Sequence, residues 1–134
     1  MSFELVAQQA IYAKMNGNIG ATVYDDVPML PSGQPSANFP YVVIGNDTLV
    51  AWDNDSQLGA DITITLHIWS RAAGMKEAKT IAGQIYDLLH HATFSIPGYS
   101  VIDCLSEFSE FMTDPDGETR HGVLRYRLTI QEGA

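Results

Sequence analysis

Apolar and polar residues alternate along one stretch of the chain, residues 61–68, and the same strand is predicted to continue to residue 71. The apolar positions are Ile62, Ile64, Leu66 and Ile68. The positions between them end in Trp69 and Arg71. A period of two residues is typical of a strand with one buried face. Because Trp and Arg on the other face favour protein interfaces, this strand indicates a binding or assembly protein rather than an enzyme.

Two amphipathic segments predict helices on either side of this strand. The first begins at Ser2, a residue type that caps helices, and its apolar stripe runs to Met15. The second covers about residues 75–91 and repeats apolar residues at helical spacing. Gly83 lies inside it and costs about 1 kcal/mol relative to Ala, so we expect a close packing contact there.

Three more strands are predicted, at about residues 41–49, 100–113 and 119–131. An extended piece at residues 23–27 precedes residues 28–40, which hold four of the six prolines and read as a loop or arm. The fold class is therefore α+β, a mainly antiparallel four-stranded sheet with two helices packed on one face. The whole chain, residues 1–134, forms a single domain in this interpretation.

The sequence Asp-Pro-Asp-Gly at residues 114–117 is the strongest turn signal. It predicts a three-residue hairpin loop between the last two strands. That register places Phe108 opposite Leu124 on the core face. On the other face it places Glu107 opposite Arg125.

The net charge of −9, from 16 acidic and 7 basic residues, narrows the function classes. A protein that wraps or reads nucleic acid needs a basic surface, which this composition argues against. An acidic wall instead repels phosphates, so DNA can pass it without specific binding.

Membrane insertion, secretion and disulfide bonding are not indicated. The longest apolar run, residues 41–44, is too short to span a bilayer, and the N-terminus shows no secretory signal. The single cysteine, Cys104, fits a reducing compartment. It alternates with Ile102 and Phe108, which predicts a buried core thiol.

Candidate chemical sites are weak. His67 and His121 lie on the polar faces of two strands and, with Glu110, would make a poor zinc site whose spacing carries no signature. Residues 53–55 resemble the start of a calcium loop but lack its later glycine and glutamate. No nucleophile motif or phosphate loop is present, so we expect no catalytic residue, metal or cofactor.

Six segments in order along the chain carry a family resemblance: residues 23–28, 39–45, 66–71, 85–89, 114–117 and 120–126. Together they resemble the tail-completion, or tail-terminator, proteins of long-tailed bacteriophages and gene transfer particles. The link at residues 29–38 looks longer than is usual there. The resemblance implies a structural virion protein, assembled in the bacterial cytoplasm, that caps the head-proximal end of the tail tube as a ring, commonly a hexamer.

The resemblance also implies partners. They are further copies of the chain, the tail tube protein and the head–tail connector protein, and DNA passes through the ring. A ring of head-to-tail copies needs two different complementary patches on each subunit. The candidates for one patch are Trp69, Arg71, Arg125 and Arg127. The candidates for the other are Asp25, Asp26, Asp53 and Asp55.

Three alternatives remain open at this point. A head-completion or joining protein of the same virion would look similar. A ligand-binding α+β domain would hold a pocket between the sheet and the second helix. A small hydrolase or metal enzyme would use His67, His121 and an acid.

Overall fold

Five strands and two helices make up the part of the chain that the computed structural model describes, residues 2–35 and 38–133. In chain order they are α1 (Phe3–Met15), β1 (Thr22–Tyr24), β2 (Tyr41–Ala51), β3 (Gly59–Ser70), α2 (Lys76–Leu89), β4 (Tyr99–Thr113) and β5 (Arg120–Glu132). The α+β class is therefore confirmed. No helix within these ranges has the length and apolarity to cross a membrane.

The first helix is the one that its local signals predict. The Ser2 hydroxyl accepts a hydrogen bond from the Leu5 N–H at 3.2 Å, which caps the helix start. The predicted stripe is buried at Val6, Ala7 and Ile11 and ends at buried Met15.

Within residues 2–35 and 38–133 the sheet has five strands in the order β1-β2-β3-β5-β4, so the predicted number of four was wrong. The extra strand is β1, which pairs parallel with β2 over three residues, while all other neighbours pair antiparallel. Parallel neighbours need a long crossover, and residues 25–40 supply it here. A three-residue strand is too short to show a period in the sequence.

The predicted arm contains a small turn of its own. Met29 and Pro35 form an isolated antiparallel bridge, and the Leu30 N–H donates to the Gln34 carbonyl at 2.7 Å. Ser36 and Ala37, which belong to the predicted arm, lie outside the described residues.

The register of the last hairpin differs from the prediction by one residue near the turn. Arg125 lies opposite Phe108 instead of Glu107, and Leu124 lies opposite Ser109. The loop holds four residues rather than three, since the Asp114 N–H donates to the Thr119 carbonyl. Phe108 therefore pairs with Arg125, which points away from the core, and a register shift between Ser106 and Phe108 follows.

The core lies between one sheet face and the two helices. The alternating residues of β3 and β5 fill it together with the buried faces of both helices: Ile62, Ile64, Leu66, Ile68, Leu124, Tyr126, Leu128, Ile130, Val6, Ile11, Met15, Ile81 and Ile85. Cys104 is fully buried there, as predicted. Its predicted neighbours Ile102 and Phe108 are 52% and 37% exposed, because register shifts in β4 interrupt the alternation.

The second helix is shorter than predicted and is packed differently at its glycine. It ends at Leu89, and His90 provides its C-cap. Apart from the adjacent residues and the local helix backbone, no atom of the described part of the chain lies within 4 Å of the position that a Gly83 Cβ would occupy. The expected close packing contact at Gly83 was therefore wrong.

Candidate assembly surface

The helices leave one face of the sheet uncovered, and we call this surface the open face. It carries the polar and aromatic positions of the central strands that alternate with the core residues. On β3 and β5 it includes Asp61, Thr63, Thr65, His67, Trp69, His121, Val123, Arg125, Arg127 and Thr129. These side chains are half-buried or exposed, which is the burial expected for a surface with solvent on one side.

Three rings stack at one end of the open face. The ring centroids of Trp69 and His121 lie 3.8 Å apart at an interplanar angle of 10°. His67 Nδ1 lies 2.8 Å from His121 Nε2, so one imidazole donates a hydrogen bond to the other. Glycine at position 45 leaves room for this cluster, because a Cβ there would lie 2.8 Å from the His67 ring.

Both imidazoles have lowered pKa values, which favours their neutral forms. Burial lowers the pKa of His67. Burial lowers the pKa of His121 as well, with a smaller contribution from His67 and an opposing one from Asp114. The sequence placed the two histidines on the polar faces of two different strands, and the structure pairs these strands and brings the histidines into contact. Among residues 2–35 and 38–133, no three His, Cys, Asp or Glu side chains form a group suited to a metal ion.

The arginines of the open face already have contacts within the chain. The Arg71 guanidinium lies 4.2 Å from the Phe39 ring centroid, and its Nε donates to the Thr119 hydroxyl at 3.2 Å. The Arg125 guanidinium lies 4.5 Å from the Phe108 centroid. These contacts orient the two side chains, which stay exposed.

Arg127 forms an ion pair with an acidic side chain of β4. Its Nε lies 3.6 Å from a Glu107 carboxylate oxygen. That distance makes an ion pair but is too long for a hydrogen bond, and the buried Nε has no hydrogen-bond partner among residues 2–35 and 38–133. The predicted pairing of Glu107 with Arg125 was wrong, because the register shift in β4 moves Glu107 towards Arg127.

The predicted acidic residues do not come together. Asp25 and Asp26 follow the end of β1, beside Val43 in the register of β2. Asp53 and Asp55 lie in the loop after β2, where Asp53 accepts the Gly59 N–H at 2.9 Å. The two pairs are separated by roughly 26 Å along the strand, at about 3.3 Å per residue. They form two acidic groups rather than one patch.

The aromatic partners of the arginines were not predicted from the sequence. Phe39 and Phe108 were assigned to the arm and to the core, and both instead lie under a guanidinium. The Phe39–Pro40 peptide bond is cis. These contacts form only because distant parts of the chain pair, so no pattern of neighbouring residues predicts them.

Comparison with known proteins gives consistent matches over most of the chain. The family model described as tail completion protein gp17 matches residues 4–131. The tail completion protein gp17 of Bacillus phage SPP1 is 29% identical over 92 residues, which cover 69% of this chain and 68% of the phage protein.

A solved structure has the same fold. A chain from the virion of a native gene transfer agent particle superimposes with a TM-score of 0.81, covering 97% of this chain and 99% of that chain. The two sequences are 21% identical, so this likeness concerns the fold alone.

Proposed function

Since the chain belongs to the tail completion protein gp17 family, a family of structural phage tail proteins, we propose that it caps the head-proximal end of the tail tube. In this proposal identical subunits form a ring, a hexamer, that stops tube polymerisation and presents the surface to which the head connector binds. The protein would join the virion in the bacterial cytoplasm and would carry out no catalysis.

One observation supports assembly in particular. The open face exposes cationic and aromatic side chains on a rigid sheet, and no helix within the described residues covers it. Sheet faces of this kind normally pack against another layer or face solvent with simple polar residues. Trp and Arg are the residue types that contribute most to protein interfaces. We therefore propose that Trp69, Arg71, Arg125 and Arg127 contact an acidic surface of the next subunit.

The two acidic groups serve other contacts in this proposal. They lie at opposite ends of β2, in the segments that follow β1 and β2. We assign Asp25, Asp26, Asp53 and Asp55 to binding of another virion protein. The overall charge of −9 also suits a ring through which DNA passes.

Deletion of the gene in its phage tests the capping function. Electron microscopy of the lysate should show tails of irregular or excessive length that are not joined to full heads. Tails of normal length that fail to join heads would instead assign the protein to the joining step. Normal infectious particles would refute an assembly function and favour a ligand-binding domain.

Complementation of that deletion tests the open face. An Arg71→Glu, Arg125→Glu double variant reverses two exposed charges, and we expect the infectious titre to fall at least about tenfold, since like charges across an interface cost several kcal/mol. Lys76→Glu, an exposed residue on α2, is the matched control and should keep the wild-type titre.

Circular dichroism must show that both variants are folded. If the folded double variant supports wild-type titre and tail length, the assignment of the arginines to the interface is wrong. The capping function is tested separately, by the phenotype of the deletion.

A further inference from the structure

The outer edge of β2 is only partly paired. The strand has eleven residues, but β1 pairs with it only at Tyr41, Val42 and Val43. No other strand within residues 2–35 and 38–133 pairs with the remainder of this edge. Its side chains are open to solvent, with Leu49 39% and Val50 66% exposed.

The other edge of the same sheet, formed by β4, is protected in the usual ways. Register shifts interrupt β4 between Val101 and Asp103 and again between Ser106 and Phe108. Irregular pairing and charged side chains are devices by which proteins prevent unwanted strand pairing. Acidic side chains occur along β4 at Asp103, Glu107 and Glu110.

The free part of β2 has fewer of these protective devices, namely one irregularity and the single charge of Asp47. After an irregularity between Ile44 and Asp47, its register with β3 is regular through Ala51. Residues 47–51 read Asp-Thr-Leu-Val-Ala and contain neither proline nor lysine. A regular, apolar and exposed strand edge is a template for an added strand.

We propose that the outer edge of β2, residues 45–51, binds an extended basic segment of another virion protein as an added strand. Backbone N–H and C=O groups would give the affinity, and alternating apolar side chains of the added segment would lie on one face of the sheet, beside Val50. The assignment of the partner to the virion rests on the proposed function. Strand addition itself does not require the chain to form a ring.

The charges around this edge select a basic partner. Asp25 and Asp26 lie near one end of the free edge, and Asp53 and Asp55 lie just beyond the other. Asp47 lies within it. From residue 15 to residue 70 the sequence has six acidic residues and no Lys or Arg. A segment with basic residues near both ends would therefore complement the site.

A second copy of this chain does not provide such a segment within the described residues. Its extended basic stretch, with Arg120, Arg125 and Arg127, is part of β5. That strand is paired on both sides, with β3 and with β4. The unpaired edge of β4 is acidic and irregular, so it suits β2 poorly. We therefore assign the edge to a different protein.

The test uses a blocked synthetic peptide, Lys-Lys-Val-Thr-Val-Thr-Val-Lys-Lys, added to the purified full chain. Hydrogen–deuterium exchange should become slower at residues 45–51, and titration calorimetry should give a saturable, salt-sensitive affinity. A peptide of the same sequence with N-methylated backbone amides lacks the donors for strand pairing, and it should not bind. Replacing its lysines with glutamates should abolish binding as well.

Variants of the chain test which acidic side chains contribute to peptide binding. Asp53→Asn with Asp55→Asn keeps a side-chain acceptor for the Gly59 N–H, and it should weaken peptide binding about fivefold, in line with exposed charge pairs. Glu4→Gln, an exposed acid on α1, is the control and should bind as the wild type does.

Two results would overturn the proposal. One is the absence of binding, or binding without slower exchange at residues 45–51. The other is slow exchange at these residues in the self-assembled protein without peptide, which would assign the edge to a second copy. Either result leaves the deletion phenotype, and with it the capping function, unaffected.

Discussion

Two glycines of this chain should respond to alanine with opposite signs. Gly59 begins β3, directly after the loop that carries Asp53 and Asp55. A Cβ at this position would lie 2.4 Å from the Trp52 carbonyl oxygen and 3.1 Å from the Ile130 carbonyl oxygen. Both are backbone atoms, so no side chain can rotate away. Gly83 lies in α2 with open space at its Cβ position.

The structure sets the size of both effects. Gly59→Ala must displace the loop and break two hydrogen bonds, from the Trp52 N–H to the Gly59 carbonyl and from the Gly59 N–H to Asp53. At about 1 kcal/mol for each bond plus backbone strain, the free energy of unfolding should fall by about 2–4 kcal/mol. Gly83→Ala should raise it by about 0.8–1 kcal/mol, the difference in helix propensity.

Urea unfolding followed by circular dichroism measures both changes. A chain of this length shifts its Tm by roughly 3–4 °C per kcal/mol, so thermal unfolding should agree in sign. All proteins must be compared at one concentration, because self-association changes the apparent stability. Unchanged stability of Gly59→Ala would refute the steric reasoning. Destabilisation by Gly83→Ala would reveal a packing contact at α2 that the isolated chain does not show.

Two further predictions concern ionisable side chains. Burial raises the pKa of Cys104 to about 12, so iodoacetamide at pH 8 should label it only after unfolding, and rapid labelling of the folded chain would contradict its burial. The lowered pKa values of His67 and His121 mean that the unfolded chain binds protons more readily near pH 6. Their contribution to stability is therefore complete above about pH 6.5 and is lost as pH falls through the lower folded values. Urea unfolding at pH 7 and pH 5 measures this loss, and a His67→Asn, His121→Asn variant with the same pH dependence as the wild type would exclude the pair as its cause.

Local sequence patterns predicted the elements that depend on near neighbours. The alternation that includes Ile62 and Ile68 identified the central strand, and the Ser2 signal identified the start of α1. The turn at residues 114–117 was located correctly as well. The length of its loop was predicted wrongly, because a three-residue and a four-residue loop can use the same residues. The one extra residue in the loop decides whether Phe108 lies opposite Leu124 on the core face or opposite Arg125.

The candidate surface could be predicted only in outline. Alternation in β3 and β5 placed Trp69, Arg125 and Arg127 on the face opposite the core, and their register confirms that they share it. The contact between His67 and His121 joins residues 54 positions apart. The partners of the arginines depend in the same way on register shifts and loop paths that no short window of sequence contains.

The sequence by itself determined the side-chain period, the helix start, the turn position, the acidic charge and the family resemblance. Each of these is a property of neighbouring residues or of composition. Only the tertiary structure decided that β1 is a fifth strand, that β2 keeps a free edge and that the acidic residues flank it in two groups. The physical reason is that pairing and coverage are non-local, since a strand edge is free or covered according to where distant parts of the chain lie.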